Sequence, residues 1–595
     1  MMIELLLTNK ILNAFKVLYN QDIDPRLITV QKTRREFEGD LTMVVFPVLR
    51  FSKKSPEETA LDLGNYLVQN VDEVSNFNVI KGFLNLVISD KFWIDFYQQQ
   101  HKNPEFGINP KLSGQPVVIE YSSPNTNKPL HLGHVRNNLL GYSVSKIVEA
   151  TGKKVVKVNL VNDRGIHICK SMLAWKKWGN GETPGSTGIK GDHLVGKYYV
   201  LFDEKFKAEI QVLVENGMDE ELAEKEASLL MEAQEMLRKW EAGNPEVREL
   251  WQTMNDWVYK GFDETYKSMG VGFDKTYFES DTYLLGRELV FEGLEKGVFF
   301  KKEDGSVWCN LSNEGLDEKL LLRADRTSVY MTQDLGTAQL RKDTYDPEKF
   351  IYVVGNEQNY HFDVLKILLK KLGREWSKNI LHLNYGMVEL PHGRMKSREG
   401  NVVDADDLMV EMYETARRTT EGLGKIDHFD QEEKDRLFKM ISLGALKYFI
   451  LKVDPKKTML FNPEESIDFN GNTGPLIQYT HARICSLNRK AVEKGIEIIE
   501  GATFTELLPK EKDLLKLLSE FPEIIKEAGL NYSPAVVANY CYDLAKEFNQ
   551  YYHEVPILRE EDLNTISFRL QLSEFIGRVI KTGMGLLGIM VPDRM

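Results

Sequence analysis

Residues 117–161 limit the possible folds more than any other segment of the chain. Two short apolar runs rich in β-branched residues, VVIEY (117–121) and VVKVNLV (155–161), predict two buried strands. The segment between them has apolar residues on one helical face and ends near Gly152, where a helix-terminating glycine is common. A strand, a helix and a strand in this order indicate a βαβ unit and hence a doubly wound, Rossmann-like parallel sheet. The apolar face consists of Val135, Leu139, Leu140, Val144, Ile147 and Val148.

Further apolar runs extend this sheet, and an insertion interrupts it. The segments SVYMT (328–332), FIYVVG (350–355) and ILHLNYGMV (380–388) predict three more strands. Residues 172–270 are acidic and helical in pattern, which indicates a helical insertion between the two halves of the sheet. We therefore expect an α/β domain over residues 113–405.

The flanking regions belong to other structural classes. Two helical patterns and the alternating segment KGFLNLVIS (81–89) predict an α+β domain over residues 1–112, which ends in a linker rich in Pro, Gly and Asn. After about residue 405 the pattern is almost wholly helical. We expect connecting helices over residues 406–469 and an all-α domain over residues 470–595.

Composition excludes several classes of protein. The chain of 595 residues has a mean hydropathy of −0.35 and no long uninterrupted apolar run, so the sequence predicts no membrane span. The N-terminus lacks the basic start and the small-residue cleavage site of a signal peptide. No two cysteines form a CxxC pair, which argues against a disulfide framework and a zinc site and favours a reducing, cytoplasmic location. The four cysteines are Cys169, Cys309, Cys485 and Cys541.

Charge is distributed unevenly along this acidic chain. The net charge is −13, from 76 basic and 89 acidic residues, yet residues 122–180 hold ten basic residues against two acidic ones. Residues 201–250 show the opposite balance, with six basic against fourteen acidic residues. This distribution favours an anionic ligand that is bound at one place. Chance clustering on two solvated faces remains the alternative.

The loop after the first predicted strand carries the motif HLGH (131–134). The predicted helix begins at its end, and the free N–H groups and positive dipole of a helix N-terminus attract phosphate. His131 and His134 can both face a bound phosphate. Gly133 leaves room for a base or ribose, and Lys128 adds a cation. The arrangement suits attack on an α-phosphate with pyrophosphate as the leaving group. The alternative is that both histidines only cap the helix.

The motif and its surroundings resemble a known family. HLGH is similar to the HIGH signature of class I aminoacyl-tRNA synthetases, and the flanking YSSPNTNKPLHLGHVRNN is similar to the arginyl members. The resemblance implies a catalytic domain over residues 113–405, an anticodon-binding domain over residues 470–595 and contact of residues 1–112 with the tRNA elbow. Further similar segments follow in family order over nearly the whole chain, at VNDRGIHICKSM (161–172), SVYMTQDLGTA (328–338), GNEQNYHF (355–362), GRMKSREGN (393–401) and GNTGPLIQYTHARI (471–484).

The second signature of the family is matched less well. The family's KMSKS loop binds the ATP phosphates, and the corresponding place here reads RMKSR. Ser397 occupies the position of the usual lysine. The resemblance implies that Lys128 replaces that lysine, and the adjacent Lys396 is the alternative. The ATP contacts expected in this loop are Arg394, Met395, Lys396, Ser397 and Arg398.

The resemblance also implies a two-step reaction. L-arginine reacts with ATP, which carries Mg²⁺, to give arginyl-adenylate and pyrophosphate. The arginyl group then passes to the terminal ribose of tRNA(Arg). His131, His134 and Lys128 would be the catalytic groups, and Gly133 would contact ATP. We expect a monomeric, cytoplasmic enzyme with no resident metal and no membrane partner.

Selection of arginine needs carboxylates, because a guanidinium is planar, permanently charged and rich in donors. Tyr330 and Asp334 are four residues apart and would share one face of a helix. By resemblance, Tyr330 packs on the guanidinium, Asp334 pairs with it, and Glu120 supplies a second carboxylate at a strand end. Without the resemblance, Asp334 could cap a helix and Tyr330 could lie in the core. The other expected ligand contacts are Asn125, Gln358 and His361.

Aromatic residues are concentrated at residues 540–553 of the C-terminal region. Unpaired anticodon bases are commonly read by aromatic stacking and hydrogen bonds, which favours an RNA contact here. The alternative is that these rings form the core of a helix bundle. The tRNA contacts that we expect from the resemblance are Asn472, Tyr479, Arg483, Tyr540 and Tyr551.

Three other functions stay open on the sequence alone. The chain could be a different nucleotidyl transferase with the same motif, although Asp334 argues for a cationic substrate. It could be a catalytically silent tRNA-binding protein, although His131, His134 and Lys128 are all present. A scaffold in a larger assembly is the third alternative.

Overall fold

The structure is a computed structural model that describes residues 2–34, 36–389, 403–422, 424, 426, 428–501 and 504–595. Its N-terminal region consists of α1 (Met2–Tyr19), β1 (Val30–Lys32), β2 (Leu41–Val44), α2 (Leu49–Ser52), α3 (Pro56–Asn70), β3 (Val74–Ile80), β4 (Phe83–Ile88) and α4 (Asp90–Gln100). The strands form an antiparallel sheet in the order β1-β2-β4-β3. Strand β4 confirms the strand expected over residues 81–89.

The second region contains a parallel sheet, helices and a small antiparallel sheet. Its elements are β5 (Ser113–Glu120), α5 (Leu132–Ala150), β6 (Lys153–Val161), α6 (Ile166–Trp178), α7 (Pro184–Thr187), α8 (Gly191–Glu215), α9 (Glu220–Glu226), α10 (Ser228–Glu241), α11 (Pro245–Met269), β7 (Lys275–Phe278), α12 (Glu279–Thr282), α13 (Gly286–Glu295), β8 (Phe300–Lys301), β9 (Val307–Cys309), β10 (Lys319–Leu322), α14 (Tyr330–Tyr345), β11 (Lys349–Gly355), α15 (Asn359–Lys371), β12 (Ile380–Tyr385) and β13 (Val388–Glu389). Helices α6 to α11 confirm the helical insertion.

The parallel sheet has the order β12-β11-β5-β6-β7, and every neighbouring pair is parallel. From β5 the chain adds β6 and β7 on one side and later adds β11 and β12 on the other side. The strand order therefore reverses at β5, and open α/β sheets bind ligands at the carboxyl edge beside such a point. Helix α5 begins at that edge. The Rossmann-like fold class expected from the sequence is confirmed.

One strand expected in this region is wrong. The segment SVYMT (328–332) does not join the sheet, because helix α14 begins at Tyr330. Ser328 makes only an isolated bridge with Leu322. The β-branched and aromatic residues favoured a strand, but strand propensity yields to packing. Met331 and Leu335 are buried at helical spacing.

The rest of the chain is mainly helical, as expected. Its elements are α16 (Ala405–Gly422), α17 (Gln431–Leu451), β14 (Met459–Leu460), α18 (Pro463–Ser466), α19 (Gly474–Glu493), α20 (Pro509–Asn531), α21 (Pro534–Glu554) and α22 (Leu563–Leu586). Strand β14 pairs with β13 in parallel. Among the described residues, no helix is long and apolar enough to cross a membrane.

The C-terminal strap, residues 586–593, ties three helices together. Alternate backbone carbonyls of the strap accept hydrogen bonds from buried side chains of α5, α17 and α19. These bonds fix the strap against both the helix that follows the HLGH motif and the helices of the C-terminal region. The four bonds are Ser143 Oγ to Leu586 O (3.0 Å), Lys447 Nζ to Gly588 O (2.6 Å), Gln478 Nε2 to Met590 O (2.8 Å) and His481 Nδ1 to Pro592 O (2.9 Å).

Candidate active site

The two histidines of the HLGH motif lie at the start of α5. His131 is the N-cap residue, and its backbone is extended. Its Nδ1 atom accepts the backbone N–H of Gly133 at 3.1 Å, and its own N–H donates to His134 Nδ1 at 3.2 Å. Because both Nδ1 atoms accept backbone hydrogen bonds, each neutral ring must carry its proton on Nε2. The two ring centroids are 4.0 Å apart, so the two donor rings lie against one another.

Both histidines are held in the neutral form. Burial and the charge of Lys128 lower the pKa of His131 to about 4. Burial, His131 and Lys128 together lower the pKa of His134 well below its ordinary value. The rings are therefore neutral hydrogen-bond donors at physiological pH. A side chain at position 133 would press on the His131 ring, because a Cβ atom there would lie 2.9 Å from His131 Cε1.

The loop that leads to the motif is strained and held by buried amides. Ser122 and Ser123 both have positive φ, which costs energy for residues other than glycine. Asn137 Oδ1 of α5 accepts the Ser122 N–H at 2.6 Å, and Asn159 Oδ1 of β6 accepts the Ser123 N–H at 3.0 Å. The Asn137 amide also donates to Val353 O of β11 at 2.7 Å. One helix, α5, and two strands, β6 and β11, thus fix the loop that precedes His131.

A cavity of about 230 Å³ lies beside the motif. Its lining includes Lys128 and His131 from the loop and Lys197 from α8. Asp404 also lines the cavity, and the two lysines leave the lining with a positive net charge, which is compatible with an anionic ligand. The second motif expected to bind ATP, comprising Arg394, Met395, Lys396, Ser397 and Arg398, lies outside the described residues.

Arg136 is a buried cation that the sequence patterns did not single out. It lies one turn into α5 and is only 2% exposed. Its guanidinium donates to three backbone carbonyls, and burial lowers its pKa to about 10. These bonds join α5 to the chain after β12 and to the loop before β14. They are Nη1 to Met387 O (3.1 Å), Nη2 to Pro455 O (3.1 Å) and Nη2 to Lys457 O (2.8 Å).

Replacing Arg136 by methionine is expected to lower the free energy of unfolding of the region that contains the parallel sheet by about 3 kcal/mol, because three carbonyls lose their donor. Urea unfolding followed by circular dichroism measures this change. Arg417→Met is a suitable control, since the Arg417 side chain is 45% exposed and pairs with Glu414 on its own helix. An equal effect of the two substitutions would contradict the structural role of Arg136.

Glu120 has a partner within the chain. It lies at the carboxyl end of β5, is buried, and forms an ion pair with Arg341 of α14. Arg341 is itself fully buried, between the rings of Tyr277 and Tyr352. In this arrangement the carboxylate of Glu120 is already neutralised. A direct contact of Glu120 with a guanidinium ligand stays a prediction and would require it to share its charge with Arg341.

Asp334 and Tyr330 lie on successive turns of α14, as the four-residue spacing suggested. Asp334 Oδ2 is 2.5 Å from His361 Nε2 of α15, so the structure brings these two expected ligand contacts together. The Asp334 side chain is about one-third exposed, and Tyr330 is 74% exposed. Both side chains are therefore accessible to a ligand at the carboxyl edge of the parallel sheet. Asn125 and Gln358 are also exposed at loops on the carboxyl edge of the sheet.

Glu279 is an acidic residue of this edge that the sequence did not reveal. It follows β7 directly and is buried. Burial raises its pKa to about 7, Arg164 at 4.0 Å lowers it in part, and the charges of Asp163 and Asp334 raise it. Glu279 and Asp334 are therefore close enough to repel one another. Two neighbouring carboxylates are a suitable receptor for a guanidinium. No motif surrounds Glu279, so only the fold identifies it.

Comparisons with known proteins decide the family. A family model for the catalytic domain of class I tRNA synthetases (R) matches residues 105–462, and a model for the DALR anticodon binding domain matches residues 477–595. Arginine–tRNA ligases from Parabacteroides distasonis and Bacteroides thetaiotaomicron are 60% and 61% identical to the chain, with complete coverage of both sequences in each case. The chain belongs to the arginyl-tRNA synthetase family.

Solved structures share the fold of this arginyl-tRNA synthetase family member. The arginyl-tRNA synthetase of Thermus thermophilus matches with a TM-score of 0.76 at 23% identity, over 99% of both chains. The enzyme of Plasmodium falciparum matches with a TM-score of 0.73 at 19% identity, also over 99% of both chains.

Two tRNA contacts expected from the family are not at the surface. Tyr540 is 5% exposed and donates through its hydroxyl to Leu517 O at 2.9 Å. Tyr551 is fully buried, with its hydroxyl 3.5 Å from Glu511 Oε1. A ring enclosed on all sides cannot stack on a base, so the prediction for these two tyrosines is wrong for this conformation. They belong to the core of the helical domain.

The other three expected tRNA contacts lie in or beside α19. The Arg483 guanidinium lies 4.9 Å from the Tyr479 ring centroid and 5.1 Å from that of Tyr552, and it donates to Asn549 Oδ1. This group combines a cation with two partly exposed rings. Asn472 instead contacts another side chain of the protein, because its Oδ1 atom accepts a hydrogen bond from the Tyr448 hydroxyl at 2.6 Å.

Proposed function

We propose that the protein activates L-arginine with ATP and transfers the arginyl group to the terminal ribose of tRNA(Arg). The observation that carries this proposal is the pair of neutral histidine donors at the start of α5, on the same edge of the sheet as the carboxylates of Asp334 and Glu279. The histidine donors can stabilise the charge that develops on a phosphate in the transition state, and the carboxylates can pair with a guanidinium.

In the first step, the arginine carboxylate attacks the α-phosphate of ATP, and pyrophosphate leaves. The Nε2–H groups of His131 and His134 donate to the phosphate oxygens on which charge develops. The N-terminus of α5 adds the positive end of its dipole. Lys128 stabilises the leaving pyrophosphate, and Mg²⁺ enters with ATP as part of the substrate.

The protein would bind arginine at its guanidinium and at its α-amino and carboxylate end. Asp334 and Glu279 pair with the guanidinium, and the exposed ring of Tyr330 packs on its face. Asn125 and Gln358 hold the α-amino and carboxylate end. Lysine would leave the paired carboxylates incompletely satisfied, and such unpaired buried groups give strong discrimination. The pocket therefore favours arginine without an editing site.

In the second step, a hydroxyl of the terminal ribose of the tRNA attacks the adenylate carbonyl, and AMP leaves. Tyr479, Arg483 and Tyr552 supply a stacking and phosphate-binding surface on the helical domain. We also expect the enzyme to act as a monomer in the cytoplasm. Light scattering of the purified protein tests the monomer.

Charging of total tRNA with each of the twenty labelled amino acids, in the presence of ATP and magnesium, tests this function. We expect arginine alone to be esterified to tRNA. Esterification of a different amino acid would keep the phosphate chemistry but would overturn the guanidinium pocket. Binding of tRNA without any charging would instead favour the silent tRNA-binding protein.

A further inference from the structure

A cluster of charged side chains surrounds Asp406 behind the HLGH motif. Asp406 is in the first turn of α16. Its carboxylate lies 2.6 Å from Lys190 Nζ, 2.9 Å from His193 Nε2 and 3.0 Å from Thr265 Oγ1. Burial raises the pKa of Asp406, but the hydrogen bonds from His193 and Lys190 outweigh it and hold the pKa at about 2. Three elements thus meet at one ionised carboxylate: the start of α8, α11 and α16.

This cluster is an internal ion pair and not a metal site. Asp192, His193 and Asp406 are residue types that bind metals, and their ligand atoms lie close together. However, Lys190 Nζ lies 2.6 Å from Asp406 and 3.3 Å from Asp192. The ammonium group therefore takes the place that a metal cation would need. It supplies the positive charge that the two aspartates require.

The cluster is connected to His131 through the backbone. Asp404 caps α16, because its Oδ1 atom accepts the Asp406 N–H at 2.7 Å. Residues 403–405 then pair with residues 130–132 in antiparallel fashion, with His131 opposite Asp404. The two backbone bonds lie on either side of His131. They are Leu132 N to Val403 O (3.0 Å) and Ala405 N to Leu130 O (2.9 Å).

His193 also lies between two cavities. One is the 230 Å³ cavity lined by Lys128 and His131. The other, of about 370 Å³, is lined by Lys190 and Asp406. Packing around the His193 side chain is therefore incomplete. The hydrogen bonds of His193 and Lys190 supply support that packing does not.

We propose that His193 and Lys190 are positioning residues of the helical insertion, which hold His131 in place through Asp406 and the paired segment 403–405. In this role they act on the reaction through His131. The inference rests on the proposed function for its catalytic consequence. Its structural part, the support of the paired segment, is independent of that function.

Replacing His193 by alanine tests the proposal. We expect kcat for arginine-dependent ATP–pyrophosphate exchange, with tRNA present, to fall about tenfold or more, because small displacements of a catalytic group are costly. KM for arginine should stay within about twofold, because the change of position does not reach Asp334. His193→Gln keeps a donor for Asp406 and should restore most of the rate. Each rate is divided by the concentration of active sites, which burst titration measures, so that misfolded protein does not lower the value.

Asp263→Asn is the control, because Asp263 forms an exposed pair with Lys267 on α11 without contacting the cluster. Equal rates for His193→Ala and this control would overturn the proposal. The proposal would also be overturned if His193→Gln catalysed exchange no faster than His193→Ala.

Hydrogen–deuterium exchange is a second measurement that does not depend on catalysis. The backbone amides of Leu132 and Ala405 should exchange faster in His193→Ala than in the unmodified protein. If the unmodified enzyme formed no adenylate, the proposed function would fail, and faster amide exchange in His193→Ala would still support the structural role of His193 in holding the paired segment 403–405. Unchanged exchange would overturn it.

Discussion

Replacing His134 by alanine is expected to slow arginine-dependent ATP–pyrophosphate exchange by about a hundred- to a thousandfold, the cost of removing one donor from a developing oxyanion. His131→Ala should act similarly, because its ring is the second Nε2–H donor and also caps α5. KM for ATP should change much less than kcat, since the donors act mainly in the transition state.

The pH dependence of the exchange rate is a second test of the role of the two histidines. Burial and Lys128 lower the pKa of His131 to about 4, so the donor pair stays neutral as pH falls from 8 to 6. The exchange rate should therefore show no loss near the ordinary histidine pKa that is attributable to these rings. His428→Ala, at an exposed site, is the control for the substitution. A limb near pH 6.5 that disappears in His134→Ala would contradict the neutral-donor mechanism.

Replacing Asp334 by asparagine is expected to lower kcat/KM for arginine about a thousandfold. Loss of one partner from a desolvated ion pair costs roughly 3–5 kcal/mol, and about 4 kcal/mol corresponds to that factor. Asp343→Asn on the same helix is the control, because Asp343 is exposed and accepts a hydrogen bond from Gln339 on its own helix. Binding of ATP alone should be unchanged in both variants. An arginine KM that stays normal in Asp334→Asn would remove this residue from the pocket.

Glu279 makes the same pocket sensitive to pH. Its pKa of about 7 in the ligand-free enzyme means that a proton must leave before the carboxylate can pair with a guanidinium. KM for arginine should therefore rise as pH falls from 7.5 to 6, and Glu279→Gln should raise KM and remove most of this dependence. Measurement of KM for arginine against pH, for the unmodified enzyme and for Glu279→Gln, shows whether Glu279 causes this dependence. An identical profile in the variant would place Glu279 outside the pocket.

The sequence was most informative where periodicity is local. The strands around residues 117–161 and helix α5 followed from runs of apolar residues, since a buried parallel strand and an amphipathic helix leave different repeats. The HLGH motif pointed to the helix start because it stands at the junction of these repeats. In contrast, SVYMT has strand-like residues, and only packing in three dimensions makes Tyr330 begin a helix.

Long-range pairing was not accessible from the sequence. Glu120 and Arg341 are far apart in the chain, and nothing in either segment shows that they neutralise one another. Glu279 has no motif and becomes visible only when β7 is placed beside β6. Tyr540 and Tyr551 show a related limit. An aromatic-rich helix looks the same whether its rings face RNA or its own core, and the family resemblance did not decide between the two.

The C-terminal strap has a consequence for the timing of synthesis. Ser143 of α5 finds its partner at Leu586, which lies 443 residues later in the chain. At translation rates of about 5–20 residues per second, roughly 20–90 s pass between the two. During that interval the helix that carries the catalytic histidines lacks part of its native support. The catalytic helix therefore reaches its final packing only after the anticodon domain has been made.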